Sequence, residues 1–253
     1  MTPNKKKVTL TAGRTYYKEF NEKIRQLINE GVTDFTLKEC NGQRYIATAL
    51  EGDLTFDVYG VPGQDLGAFM RGPKIRIHNN AQDGVGNTMD NGRVIIEGIA
   101  GDVIGYAMRG GEIFIKGDVG YRVGIHMKAY LDQQPKIVVG GKAGDFLGEY
   151  MAGGIILLLG MFSDKSDAPV AGRSLGTGMH GGVIYVRGTV HENQLGPGLN
   201  AQPVNSEDLN IIQDLVTDYA NELKLDSTEI MSENFVKIRP FSHRPYGNLY
   251  VPC

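Results

Sequence analysis

Several functions need residues that this sequence has in short supply. Only two cysteines occur, Cys40 and Cys253, far apart in the chain. They do not suggest a disulfide framework, and they cannot supply the three or four thiolates of an iron–sulfur site. Charge of one sign is equally scarce: 26 Lys and Arg against 29 Asp and Glu leave a formal net charge of -3. Nucleic-acid binding by a basic surface is therefore not indicated. No run of about 18 apolar residues could span a bilayer, and the start MTPNKKKVTL lacks the apolar segment of a secretory signal. The expectation is a cytoplasmic, globular chain.

Glycine, by contrast, is abundant, at 35 of 253 residues. Apolar residues are interleaved with it in an ordered way, which excludes collagen-like and low-complexity explanations. One stretch, GDVIGYAMRGGEIFIKG (residues 101–117), looks at first like a phosphate loop. Such loops join a strand to a helix whose N-terminus faces the anion. Here Gly110 and Gly111 lead into Glu112-Ile113-Phe114-Ile115-Lys116, which reads as a strand, so the helix is missing.

The glycines belong to a repeat. Methionines at 70, 89, 108 and 127 stand 19 residues apart; Met151 and Met179 follow after 24 and 28, that is 19 plus insertions of 5 and 9. Three residues before Met70, Met89, Met108, Met127, Met151 and Met179 stand Gly67, Gly86, Gly105, Gly124, Gly148 and Gly176. Four before them the column is Leu66, Val85, Ile104, Val123, Leu147 and Leu175. After them come the alternating pairs Ile75/Ile77, Val94/Ile96, Ile113/Ile115, Ile137/Val139, Ile156/Leu158 and Ile184/Val186. A unit this short cannot bury its apolar side alone, but stacked copies make a continuous interior. The reading is an all-β solenoid, a parallel β-helix of about six to seven coils, with the methionines as an internal ladder. A coil of 19 residues with insertions suits the right-handed type.

The domain plan follows: residues 1–57 as an N-terminal helix and cap strands, 58–190 as the β-helix, and 191–253 as a C-terminal helix and extended tail. Helical spacing of Phe20, Ile24, Leu27 and Ile28 is closed by Gly31. FTLKE, YIATA and LTFDVYG read as strands of an irregular first coil or cap. Asn205-Ser206 caps a second helix with the stripe Leu209, Ile212, Val216, Tyr219 and Leu223. The strand residue between the two interior positions should face outward, yet that column is Arg76, Ile95, Phe114, Val138, Leu157 and Tyr185. Such a stripe rarely stays exposed. Either the C-terminal helix covers it or it is an interface for a partner subunit.

Candidate chemistry is thin. Asp83, Asp102 and Asp145 share one register, but Gln64, Tyr121 and Arg173 interrupt the column. Turn carboxylates bonding to backbone N–H groups explain them better than calcium. His126 and His180 flank the methionines without a second ligand at zinc spacing. Thr2 as a terminal nucleophile has no identifiable base or oxyanion partner. No catalytic, cofactor-binding or metal-binding residue is assigned.

GEYMAGGIILLLG, GTGMHGGVIYVRG and VGYRVGIHMK resemble the glycine-rich (GXGXG) β-helix domain at the C-terminus of the glutamate synthase large subunit. The whole chain, with its KIRPFSHRPYG tail, resembles the stand-alone form of that domain. The resemblance implies a scaffold without an active site of its own, in a complex that makes glutamate from glutamine and 2-oxoglutarate. It implies an amidotransferase-type subunit and a synthase-type subunit carrying FMN and an iron–sulfur cluster as partners, with no cofactor on this chain. Runner-up readings are the related β-helix subunit of formylmethanofuran dehydrogenase, a β-helical enzyme acting on acyl groups or sugars, and a homo-oligomeric scaffold.

Overall fold

The alternating aliphatic pairs form strands, and the segments between them form turns. The structure is a computed structural model that describes residues 6–240. Its elements are β1 (Lys6–Thr11), α1 (Tyr17–Asn29), β2 (Val32–Lys38), β3 (Thr55–Val58), β4 (Arg71–Ile77), β5 (Asn91–Ile96) and β6 (Glu112–Ile115). There follow β7 (Lys136–Val139), β8 (Ala152–Leu158), β9 (Gly181–Arg187), β10 (Ala201–Pro203), α2 (Ser206–Leu223), α3 (Ser227–Ile230) and β11 (Phe235–Ile238). They make one sheet of 11 strands. From β1 to β9 each strand pairs in parallel with its sequence neighbour; β11 then pairs antiparallel with β9, and β10 with β11.

The pairing register equals the sequence repeat. Ile75 lies beside Val94, Val94 beside Ile113, Ile113 beside Ile137, Ile137 beside Ile156 and Ile156 beside Ile184. The turns stack in the same register: Gly86 N donates to Leu66 O at 2.9 Å, Gly105 N to Val85 O at 2.8 Å and Gly124 N to Ile104 O at 2.8 Å. Insertions leave the ladder intact, since Gly148 N still reaches Val123 O at 2.8 Å and Gly176 N reaches Leu147 O at 2.7 Å.

The repeat runs further than its methionines. Tyr45–Ala49, read from sequence as the strand YIATA, is a turn. Ala47 takes the glycine position with φ 58°, Leu50 takes the methionine position, and Gly67 N donates to Ile46 O at 2.8 Å. At the other end Leu195, Gly196 and Leu199 repeat the pattern, with Gly196 N on Leu175 O at 2.8 Å. β3 spans the boundary placed at 57/58 and pairs on both sides, so the segment drawn as a cap continues the same sheet.

Local chemistry directs where α1 stops and where α2 starts. Gly31, at φ 86°, closes α1 by donating to Ile28 O at 2.9 Å, and the inner face buries Phe20 and Ile24. α2 opens with a reciprocal cap: Asn205 Oδ1 accepts from Asp208 N and Asp208 Oδ2 accepts from Asn205 N, each at 2.9 Å. Its buried face is Asp208, Ile212, Leu215, Val216, Tyr219 and Ala220. Leu209, placed in the stripe from sequence, is instead 42% exposed, because Asp208 turns inward to meet the Tyr185 hydroxyl and the Lys237 ammonium on the sheet. No helix among the described residues is long and apolar enough to cross a membrane. The tail read as an extended segment, with Cys253 and Thr2, lies outside the described residues apart from its first few positions.

Candidate functional site

The methionine column lies in the core. Met70, Met89, Met108, Met127 and Met151 are fully buried, and Met179 nearly so. Their methyl ends reach beneath a second glycine column on the next strand: a Cβ on Gly92 would stand 3.2 Å from Met70 Cε, one on Gly154 3.0 Å from Met127 Cε, and one on Gly182 2.5 Å from Met151 Cε. An unbranched thioether fills the space that the absent side chain leaves. The first glycine column has a double reason. Gly86 has φ 69°, and a Cβ there would fall 2.5 Å from Ile113 Cδ1. Positions two residues to either side also take positive φ, for example Thr88 at 52° and Val103 and Ala107 at 51° and 49°, but admit ordinary side chains.

The aspartate column works structurally. Asp83 Oδ1 accepts from Asp102 N at 2.8 Å, Asp102 Oδ1 from Tyr121 N at 2.8 Å, and Asp145 Oδ1 from Arg173 N at 2.7 Å. That backbone N–H, with the guanidinium of Arg173, holds the Asp145 pKa below the ordinary carboxylate value. A second column, outside the sequence-based expectation, does the same: Asn41, Asn80 and Asp118 accept from Val61 N, Ile99 N and Lys142 N at 3.0, 3.0 and 2.7 Å. The sign that could have revealed it is their shared place nine residues before Leu50, Met89 and Met127. Among the described residues no group of three or more His, Cys, Asp or Glu is placed to hold a metal ion. His126 stacks on Tyr150 with ring centroids 5.4 Å apart and meets Tyr106 edge-on at 5.9 Å. The Cys40 thiol is buried, which pushes its pKa up to about 12 and leaves it in the unreactive protonated form.

The outward apolar stripe is where the sheet meets its own helix. Ile95, Phe114, Val138, Leu157 and Tyr185 are fully buried. Four of them, all but Ile95, form one cluster with Ile212, Leu215, Val216, Tyr219 and Ala220 of α2 and with Ile230 and Phe235 beyond it. The stripe put forward as a possible partner interface is thus occupied within the chain. Phe114 meets the Tyr219 ring edge-on at 5.8 Å, and the Tyr219 hydroxyl donates to Ile115 O at 3.1 Å. Burial raises the Tyr219 pKa, so the phenol stays a donor.

Two carboxylates of α2 fasten its ends. Glu222 accepts from Lys74 Nζ at 2.7 Å, Arg76 Nη2 at 2.7 Å and Arg93 Nη1 at 2.8 Å. Burial disfavours its charge, but the hydrogen bonds and charges of Lys74 and Arg93 prevail and lower its pKa. Asp208 accepts from the Tyr185 hydroxyl at 2.8 Å and from Lys237 Nζ at 2.6 Å. There too burial acts against the charge, and the donors, led by Asn205 N, outweigh it. Beside this seam runs a groove of about 440 Å³ lined by Lys74, Arg93, Glu112, Gln133 and Lys136. Its cations are committed to Glu112 and Glu222, so it is a salt-bridged seam. Glu222 and Asp208 thus hold the helix on the sheet, while Glu112 ties Arg93 and Lys136 of neighbouring strands together.

Comparison with known proteins agrees with this architecture. The sequence model described as the GXGXG motif matches residues 35–241. The uncharacterized protein MJ1350 of Methanocaldococcus jannaschii is 45% identical over 252 residues, covering 97% of each chain. With a matching stretch that takes in every turn from Tyr45 to Leu199 and the helix laid on the sheet, this chain belongs to the GXGXG motif family.

Proposed function

We propose that this chain is a right-handed parallel β-helix acting as the non-catalytic scaffold subunit of a glutamate synthase-type complex. In this reading it joins an amidotransferase-type subunit, which releases ammonia from glutamine, to a synthase-type subunit that carries FMN and an iron–sulfur cluster and forms glutamate from 2-oxoglutarate. The observation that carries it is the family match along 35–241, which takes in the whole stacked repeat. The repeat's physical contribution is a stiff spacer. Nine parallel strands at about 4.8 Å give a rod of about 38 Å, with turns locked to one another by backbone and carboxylate hydrogen bonds. Such a rod holds two separate sites at a fixed distance without taking part in their chemistry.

Purification of the tagged chain from its source organism tests this. Recovery of an amidotransferase-type and a flavin-containing synthase-type subunit, with glutamate formation only by the assembled complex, supports it. Recovery of formylmethanofuran dehydrogenase subunits would assign the chain to that complex instead. Near-equimolar flavin on the isolated chain would overturn the assignment of the cofactor to a partner.

A further inference from the structure

Among the described residues the sheet has two unpaired edges, and they differ. β10 is three residues long and ends on Pro203, which has no N–H to offer. β1 is six residues long and keeps regular register with β2 from Lys7 to Thr11. In a parallel strand alternate residues turn both N–H and C=O to the same neighbour. Ala12 N donates to Lys38 O at 2.8 Å, so Val8 and Leu10 face β2 while Lys7, Thr9 and Thr11 turn their backbone groups to the open side.

The side chains at this edge are incomplete in the same way. Phe35 and Leu37 are fully buried, whereas their neighbours Val8 and Leu10 are only partly covered. Leu27 and Ile28 of α1 pack on the same core and are also partly open. Val8 and Leu10 thus leave apolar surface open beside a row of unpaired backbone groups. Lys6 and Lys7 are both exposed; Lys6 Nζ donates to Glu30 O at 3.3 Å and Lys7 Nζ lies 3.5 Å from Asp34.

We propose that the open side of β1 is where an extended strand of a partner subunit adds to the sheet, a strand that alternates apolar residues with polar ones and carries carboxylates opposite Lys6 and Lys7. The inference rests on the scaffold reading and names the surface that performs it. Main-chain hydrogen bonds to Lys7, Thr9 and Thr11 supply adhesion, and contact with Val8 and Leu10 fixes the face. Charge decides the occupant: a second copy would bring its own Lys6 and Lys7 to the same seam, whereas an acidic strand neutralises it.

The test purifies the tagged full chain from its source organism and reads the recovery of amidotransferase-type and flavin-containing subunits. Thr9→Pro removes an N–H that faces away from β2, so the isolated variant should melt within about 2 °C of the parent while recovery of the subunit bound at β1 falls at least about tenfold. Lys6→Glu should fold normally and weaken recovery, most strongly at low salt. In the parent complex the Thr9 amide should exchange more slowly than in the isolated chain. If the parent recovers no such subunit, the scaffold reading fails and this one with it. If the parent and Thr9→Pro recover both subunits equally, only the edge assignment is overturned. A parent that is dimeric alone, and becomes monomeric as Thr9→Pro, would place a second copy there and overturn the choice of partner.

Discussion

Gly86 and Thr88 stand two residues apart on one turn, both with positive φ, at 69° and 52°. Exchange of their characters should have very unequal effects. Gly86→Ala forces an L-residue into the left-handed region, at about 1–2 kcal/mol, and drives its methyl against Ile113, at about 1–3 kcal/mol. The contact is 2.5 Å and Ile113 is fully buried among its neighbours, so relief requires a rotamer change inside a packed interior. A loss of about 2–5 kcal/mol is expected. Thr88→Gly removes a β-branched residue from the same backbone region. Against that relief stand the loss of the Thr88 Oγ1 to Asn87 Oδ1 hydrogen bond, at 2.9 Å, and the extra freedom of glycine in the unfolded chain. The net should lie within about 1 kcal/mol of zero. Urea denaturation followed by far-UV circular dichroism measures both, and equal m values show that the comparison concerns stability alone. Equal losses for the two variants, or a neutral Gly86→Ala, would refute the argument that packing against the next strand selects glycine in this column.

Phe114→Lys should lower the melting temperature of the isolated chain and raise hydrogen exchange throughout α2, because the ammonium would be buried beneath Tyr219 with Arg93 already 5.1 Å from the ring centroid. A normally stable, fully protected variant would contradict the burial of the stripe. Met108→Asp should prevent stable folding while Met108→Leu costs less than about 1.5 kcal/mol; closely similar melting points would remove methionine from the core. Acid should release α2 before the sheet unfolds. Glu222 and Asp208 have lowered pKa values in the folded chain, so their contribution is complete above the unfolded carboxylate range near about 4 and is lost as pH falls through the folded values. Glu222→Gln should flatten that acid limb in a pH series of denaturation midpoints, and an unchanged limb would show that the anchor is not what titrates.

The repeat could be read from the chain because the step from one parallel strand to the next is one sequence period. Equivalent residues become sheet neighbours, so columns of glycine, methionine and aliphatic residues in the sequence become the strand and turn ladders of the structure. The amphipathic helices could be read for a similar reason, since periodicity and caps act within a few residues. Signals weaken where a position is defined by backbone shape alone. Ala47 takes the glycine place at φ 58° and Leu50 the methionine place, and nothing in those residue types distinguishes that turn from the strand that YIATA suggests. Asn41, Asn80 and Asp118 join one ladder because their side chains reach the next turn, although asparagine and aspartate in a turn are equally compatible with solvent. What covers the outward stripe was open for a stronger reason. An apolar column states only that something must exclude water from it, and a helix of the same chain or of another does so equally well. The tertiary structure decided it through contacts that join Glu222 to Lys74 and Tyr219 to Ile115, residues more than a hundred positions apart whose pairing no local pattern encodes.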